Sequence, residues 1–148
     1  MTTIAYHHES KTIAVDGLIL RGGMVMSDSY QKWRTRASST FFFSGTVADI
    51  EPFINAATNN AKYEWDLDLS CLRVKDGKIY ECGIDENGYW EIEAMYSVAI
   101  GSGCDLALAG FDMGLNATQA VELAAKRNAG TGGKIFSFTL DEISKFKE

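Results

Sequence analysis

Apolar and polar positions divide the chain into blocks of strand-like and helix-like periodicity. Thr2 to His8 alternates loosely, and Lys11 to Leu20 is rich in β-branched and aliphatic residues, with Glu9-Ser10 between them. This pattern predicts two paired strands joined by a short turn. Gly22-Gly23 breaks the run, Met24 to Met26 predicts a short strand, and Ser27 to Arg36 reads as a polar loop anchored by Tyr30 and Trp33. Thr40-Phe41-Phe42-Phe43 predicts a buried strand ending at Ser44-Gly45. From Val47 to Asn59, the apolar residues Val47, Ile50, Phe53, Ile54 and Ala57 recur along one helical face. Pro52 comes early enough to fit the first turns of that helix.

The second half repeats the contrast. Leu67 to Val74, Lys78 to Ile84, Tyr89 to Ile92 and Ala94 to Ile100 predict strands, with tight turns at Asp76-Gly77 and Glu86-Asn87-Gly88. Gly101-Ser102-Gly103 ends the strands. Two helices follow, Asp105 to Leu115 and Ala117 to Asn128, both dense in Ala and Gly and so able to approach neighbours closely. Asn116 with Gln119 predicts a capping box on the second. Gly130 to Gly133 is a turn, Lys134 to Thr139 a strand, and Leu140 to Lys147 a short charged helix. Segregated strand and helix blocks predict an α+β fold with layered packing, as a single domain over 1–148.

Bulk properties narrow the function classes. The chain has 148 residues, 46% hydrophobic and 23% charged, which suits one globular domain with a real core. A net charge of −6 argues against a nucleic-acid partner. No apolar run approaches the roughly 20 residues of a membrane helix. The opening lacks the basic and apolar regions of a signal peptide, so a cytoplasmic protein is expected. Cys71, Cys82 and Cys104 are odd in number and lack metal-type spacing, which predicts reduced, mostly buried thiols.

The candidate chemistry begins at Met1-Thr2. A start methionine before a small residue is a substrate for removal. Thr2 would then carry a hydroxyl nucleophile and its own α-amino base on one residue. Five further segments stand in order behind it: Val15-Asp16-Gly17, Gln31-Lys32-Trp33, Ser44-Gly45-Thr46-Val47-Ala48-Asp49, Ala99-Ile100-Gly101-Ser102-Gly103 and Arg127 to Gly133. Each has a plain alternative. Asp16 suits a turn, Lys32 a solvated loop, Gly45 a strand-to-helix turn, Thr131 a turn hydroxyl, and Ser102 reads equally well as a helix N-cap.

Together, in this order, the six segments resemble the proteasome family of N-terminal nucleophile hydrolases, most closely bacterial HslV-type peptidases. The resemblance spans Thr2 to Gly133, nearly the whole chain. It implies a four-layer αββα sandwich. It also implies Thr2 as nucleophile, Lys32 beside it to favour the neutral amine and stabilise charge on oxygen, and Asp16 to hold Lys32. Gly45 would offer its N–H to the oxyanion, while Ser102, Asn128 and Thr131 would surround the amine. Phe43 and Val47 would help line a specificity pocket. No metal or organic cofactor is implied. The implied partners are a polypeptide substrate, a homo-oligomer, and an unfoldase or host assembly.

Two departures qualify the match. The family's loop aspartate is here Asn128, which keeps hydrogen-bonding capacity without the charge. The family's two long helices after the Ala-Asp turn are here reduced. Asn59-Asn60-Ala61-Lys62 leads almost directly into the strands from Leu67, so the helical layer on that side is expected to be thin. Three readings follow: a threonine-type endopeptidase, an amidase acting on a small substrate, or a proteasome-like subunit serving as a structural, decoy or binding protein.

Overall fold

The computed structural model describes residues 2–61 and 67–148. Met1, and Lys62 in the predicted short connection, lie outside the described residues. Two sheets stack face to face with a helical layer on each outer side, giving a four-layer αββα sandwich. The first sheet has the order β10-β1-β2-β11 and comprises β1 (Ile4–His7), β2 (Thr12–Asp16), β10 (Val98–Ile100) and β11 (Ile135–Thr139). The second runs β5-β6-β7-β8-β9, with β5 (Trp33–Arg36), β6 (Ser39–Gly45), β7 (Leu69–Lys75), β8 (Lys78–Asp85) and β9 (Gly88–Glu93). A separate hairpin pairs β3 (Ile19–Arg21) with β4 (Met24–Ser27).

Period-two alternation sorts each strand into two environments. Ile4, Tyr6, Ile13 and Val15 meet Phe42, Leu72, Val74 and Ile79 between the sheets. On the other face of the first sheet, Ala5 and Ala14 pack against Ala107, Ala117, Ala120 and Val121. These come from α2 (Cys104–Asp112) and α3 (Ala117–Arg127). Small side chains on both partners bring these helices close to the sheet. On the far side, Phe41, Phe43 and Cys71 pack on Ile50, Phe53 and Ile54 of α1 (Ile50–Asn59). This layer holds one described helix, the thin layer expected from the sequence. No described helix is long and apolar enough to cross a membrane.

Four expectations need correction. The run from Lys11 to Leu20 is not one strand. It stops at Asp16, because Gly17 passes close to the Asp28 and Lys134 carbonyls, where an added Cβ would sit 2.9 and 3.1 Å from their oxygens. The predicted loop before Arg36 contains β5, a sheet edge whose residues are all half-buried, so its polar pattern hid it. Ala94 to Ile100 is strand only from Val98, and the last helix, α4 (Leu140–Ile143), is shorter than predicted. Of the cysteines, Cys71 and Cys82 are buried opposite one another on β7 and β8, whereas Cys104 is half-exposed. The Asn116–Gln119 capping box is present.

Candidate active site

The site forms where the start of β1, the end of β2 and the segment before β5 converge. Lys32 Nζ lies 2.9 Å from Thr2 Oγ1 and 2.9 Å from Asp16 Oδ1. All three residues are buried, at 4% exposure for Thr2, 3% for Lys32 and 0% for Asp16. A charge there is tolerated only with full pairing. Asp16 meets that condition: the Thr3 N–H and Lys32 donate to Oδ1, and the Gly132 N–H donates to Oδ2. Desolvation holds the Lys32 ammonium below the ordinary lysine value, against the charge and hydrogen bond of Asp16, which favour its protonated form. Lys32 is itself registered on β6, because the Phe43 N–H donates to the Lys32 carbonyl at 2.9 Å.

A second, hydroxyl-rich group lies behind Thr2. Asn128 Oδ1 accepts from Ser102 Oγ at 2.8 Å and from Thr131 Oγ1 at 2.9 Å. Thr131 gives its only hydroxyl proton to Asn128, so Thr3 Oγ1 is the donor in the 2.7 Å Thr3–Thr131 contact. Ser102 Oγ also lies 3.5 Å from the Thr2 carbonyl oxygen. Asn128 caps the C-terminus of α3, and its Nδ2 donates to the Ser102 carbonyl at 3.4 Å. An amide suits this place. One oxygen serves both hydroxyls, the nitrogen serves a carbonyl, and no negative charge is added at the negative end of a helix. The Thr2 N–H donates to the Gly130 carbonyl at 3.0 Å.

Two glycines let the backbone close around Thr2. At Gly101, φ is 97°, and an added Cβ would stand 2.2 Å from the Thr2 carbonyl oxygen and 3.2 Å from Ser44 Oγ. Gly45, next to Ser44, is exposed at the end of β6 with φ 129°; a Cβ there would stand 2.2 Å from the Asp68 carbonyl oxygen. Both positions therefore require glycine.

The structure thus joins Thr2 to Asp16 through Lys32 and brings Ser102, Asn128 and Thr131 together behind them, while Gly45 follows Ser44 at the end of β6, against Asp68. The two pocket residues fall differently. Val47 is 50% exposed, whereas Phe43 is 3% exposed and packs against Phe53 under α1. Thr3 was not among the candidates, although its N–H holds Asp16 and its hydroxyl holds Thr131. Its signal was a polar residue entering an otherwise apolar strand.

Comparison with solved structures identifies the fold: it is that of the N-terminal nucleophile hydrolases, in the form seen in HslV. Eukaryotic HslV from Trypanosoma brucei superposes with a TM-score of 0.68 at 21% identity, covering 93% of this chain and 98% of that one. Thiobacillus denitrificans BPH superposes with TM-scores of 0.67 in complex with epoxomicin and 0.66 in a second structure. Identities are 17% and 19%, with 93% of this chain covered in each case and 97% and 96% of the other. No family model and no curated protein matches the sequence.

Proposed function

We propose that this protein is a threonine-type endopeptidase whose nucleophile is Thr2, exposed as the terminal residue by removal of Met1. The observation that carries this reading is Lys32 Nζ held between Asp16 Oδ1 and Thr2 Oγ1 at 2.9 Å each, all out of water. Pairing with Asp16 accounts for the buried charge of Lys32, but not for its second contact, on a threonine hydroxyl. It lowers the cost of charge developing on that oxygen.

In the proposed reaction Thr2 Oγ attacks an amide carbonyl and the Thr2 α-amine takes the hydroxyl proton. The Gly45 N–H receives the oxyanion. The amine then protonates the departing amine of the substrate, the acyl-enzyme remains on Oγ, and water attacks it to free the acid. A free α-amine titrates near pH 7.7–8.0, and the neighbouring ammonium lowers it further toward the range of a general base.

The chain acts on this reading as one proteasome-subunit-like domain over 1–148, in the cytoplasm, on polypeptide substrates. The exposed apolar hairpin residues Met24, Val25 and Met26 support a homo-oligomer. Intact mass followed by treatment with epoxomicin, which the Thiobacillus protein binds, or another threonine-directed electrophile tests the mechanism. The expected result is a protein lacking Met1 that gains one adduct, and a Thr2→Ala variant that gains none and cleaves no peptide. Peptide cleavage by Thr2→Ala, or absence of any adduct on a protein that begins at Thr2, overturns it.

A further inference from the structure

The second sheet has five strands and the first has four. A cavity of about 290 Å³ opens where β7, β8 and β9 meet the end of β10, lined by Ser70, Glu81, Gly83, Ile84, Trp90 and Ile100 among others. It adjoins the Thr2 site on two sides. Ser70 is the register partner of Ser44 across β6 and β7, and Ile100 precedes Gly101, the glycine that fits between Ser44 Oγ and the Thr2 carbonyl.

Its walls have a definite chemistry. The Trp90 indole lies on Gly83 so closely that an added Cβ would stand 2.5 Å from Cζ2 and 2.8 Å from Cε2. Trp90 is nevertheless 40% exposed, which leaves ring surface for a ligand. Glu81 accepts a hydrogen bond from the Tyr96 hydroxyl at 3.3 Å and forms no ion pair among the described residues. Its neighbours across β9 differ: Glu91 is paired with Arg73 and Lys75, and Glu93 with Lys78. An aromatic face and a carboxylate without an ion pair in one cavity, with aliphatic Ile100, match a cation on a long apolar stem. A guanidinium or ammonium stacks on the ring and pairs with the carboxylate while its methylenes cover the aliphatic wall.

We infer that this cavity is a substrate subsite that takes an arginine or lysine side chain of the polypeptide being cleaved. The inference rests on the reading of Thr2 as a peptidase nucleophile, and its test is a binding measurement separate from turnover. Protein carrying ¹⁵N-labelled tryptophan and the Thr2→Ala substitution is titrated with the capped tripeptides Ala-Arg-Ala, Ala-Leu-Ala and Ala-Glu-Ala. The Trp90 indole N–H signal is assigned with a Trp90→Phe variant. The arginine peptide is expected to shift the Trp90 signal at a concentration at least tenfold below that needed for the glutamate peptide. Glu81→Gln should abolish that preference, and Gly83→Ala, which displaces the indole, should weaken binding of the arginine and leucine peptides alike.

A Trp90 signal indifferent to the arginine peptide sinks the subsite, even where the Thr2 protein forms its electrophile adduct. A Trp90 shift that follows protein concentration rather than peptide also sinks it, because a second copy then covers the cavity. A selective arginine shift in the Thr2→Ala protein, where the unsubstituted protein forms no adduct, upholds the cavity as an arginine-binding site and defeats the peptidase reading alone.

Discussion

Two ion-pair networks, one half-buried on the α1 face of the second sheet and one fully buried at the end of β2, differ in that only the second ends on a reactive atom. On the α1 face, Arg73 donates to Ser39, Tyr89 and Glu91, its guanidinium lies over the Phe41 ring, and Lys75 completes the pairing of Glu91. Every charge there meets another side chain whose role ends in the contact. At the end of β2, Lys32 pairs with Asp16 and spends another proton on a threonine hydroxyl. Charge is common to both, and burial is deeper in the second. Direction separates them, since the first network closes on itself and the second points at an oxygen able to attack a carbonyl.

The largest expected effect breaks that comparison directly. Lys32→Met leaves the Asp16 carboxylate buried without its cation, which costs about 3–5 kcal/mol of stability. It also removes the donor at Thr2, with a loss of peptidase rate on the order of 10²–10³. Arg73→Met should destabilise by a similar or smaller amount, because Lys75 and Tyr89 still serve Glu91, and should leave the rate per folded molecule unchanged. Urea denaturation and turnover measured at a temperature where both variants are folded decide the matter. Equal rate losses in the two variants would mean that the Thr2 network is no more than structural.

How much of this was legible in the sequence depends on the kind of information each element uses. The inter-sheet core was readable because Ile4, Tyr6, Ile13 and Val15 obey period-two alternation. The edge strand β5 was not, because Arg34, Thr35 and Arg36 carry the polar side chains of a half-buried edge and imitate a loop. Thr2, Asp16 and Lys32 stand far apart along the chain, and spacing alone cannot join them. Their order among short glycine-marked segments supplied the link. Thr3 escaped because one polar residue at the entry of an apolar strand is a slight signal, and only the Asp16 and Thr131 contacts expose its part. The burial of Phe43 was expected from its strand, but the layer it faces was not, since a triple-phenylalanine run does not say which ring faces which layer.

A smaller effect sharpens the comparison at Asn128. Asn128→Asp places a negative charge one hydroxyl away from the Thr2 backbone, beside Ser102 and Thr131. A nearby anion favours the protonated amine, so the amine of Thr2 titrates higher and the rising limb of the pH–rate profile moves to higher pH. The helix C-terminus and the Ser102 carbonyl both oppose the charge, so a loss of stability of about 1 kcal/mol accompanies the shift. Activity profiles from pH 6 to 10 test this. A profile that does not move separates Asn128 from the titrating amine and leaves it a helix cap.

The smallest effect belongs to the closed network. Burial pushes the Glu91 carboxyl up, but hydrogen bonds from Lys75 and Tyr89 and the charges of Lys75 and Arg73 outweigh it and hold the group below the usual carboxylate range. A carboxylate depressed in the folded state adds stability at pH values above its unfolded value of about 4.3. That contribution is lost as pH falls through the folded value. Glu91→Gln keeps an acceptor for Tyr89 and removes the charge, so it should be less stable than the parent at pH 7, with the gap closing toward pH 3. Urea midpoints across that range read the effect, and adduct formation at Thr2 should stay the same throughout. A gap that persists at pH 3 would mean that the network on this face works through packing and hydrogen bonds, leaving the Lys32–Asp16 pair as the one place where buried charge itself is used.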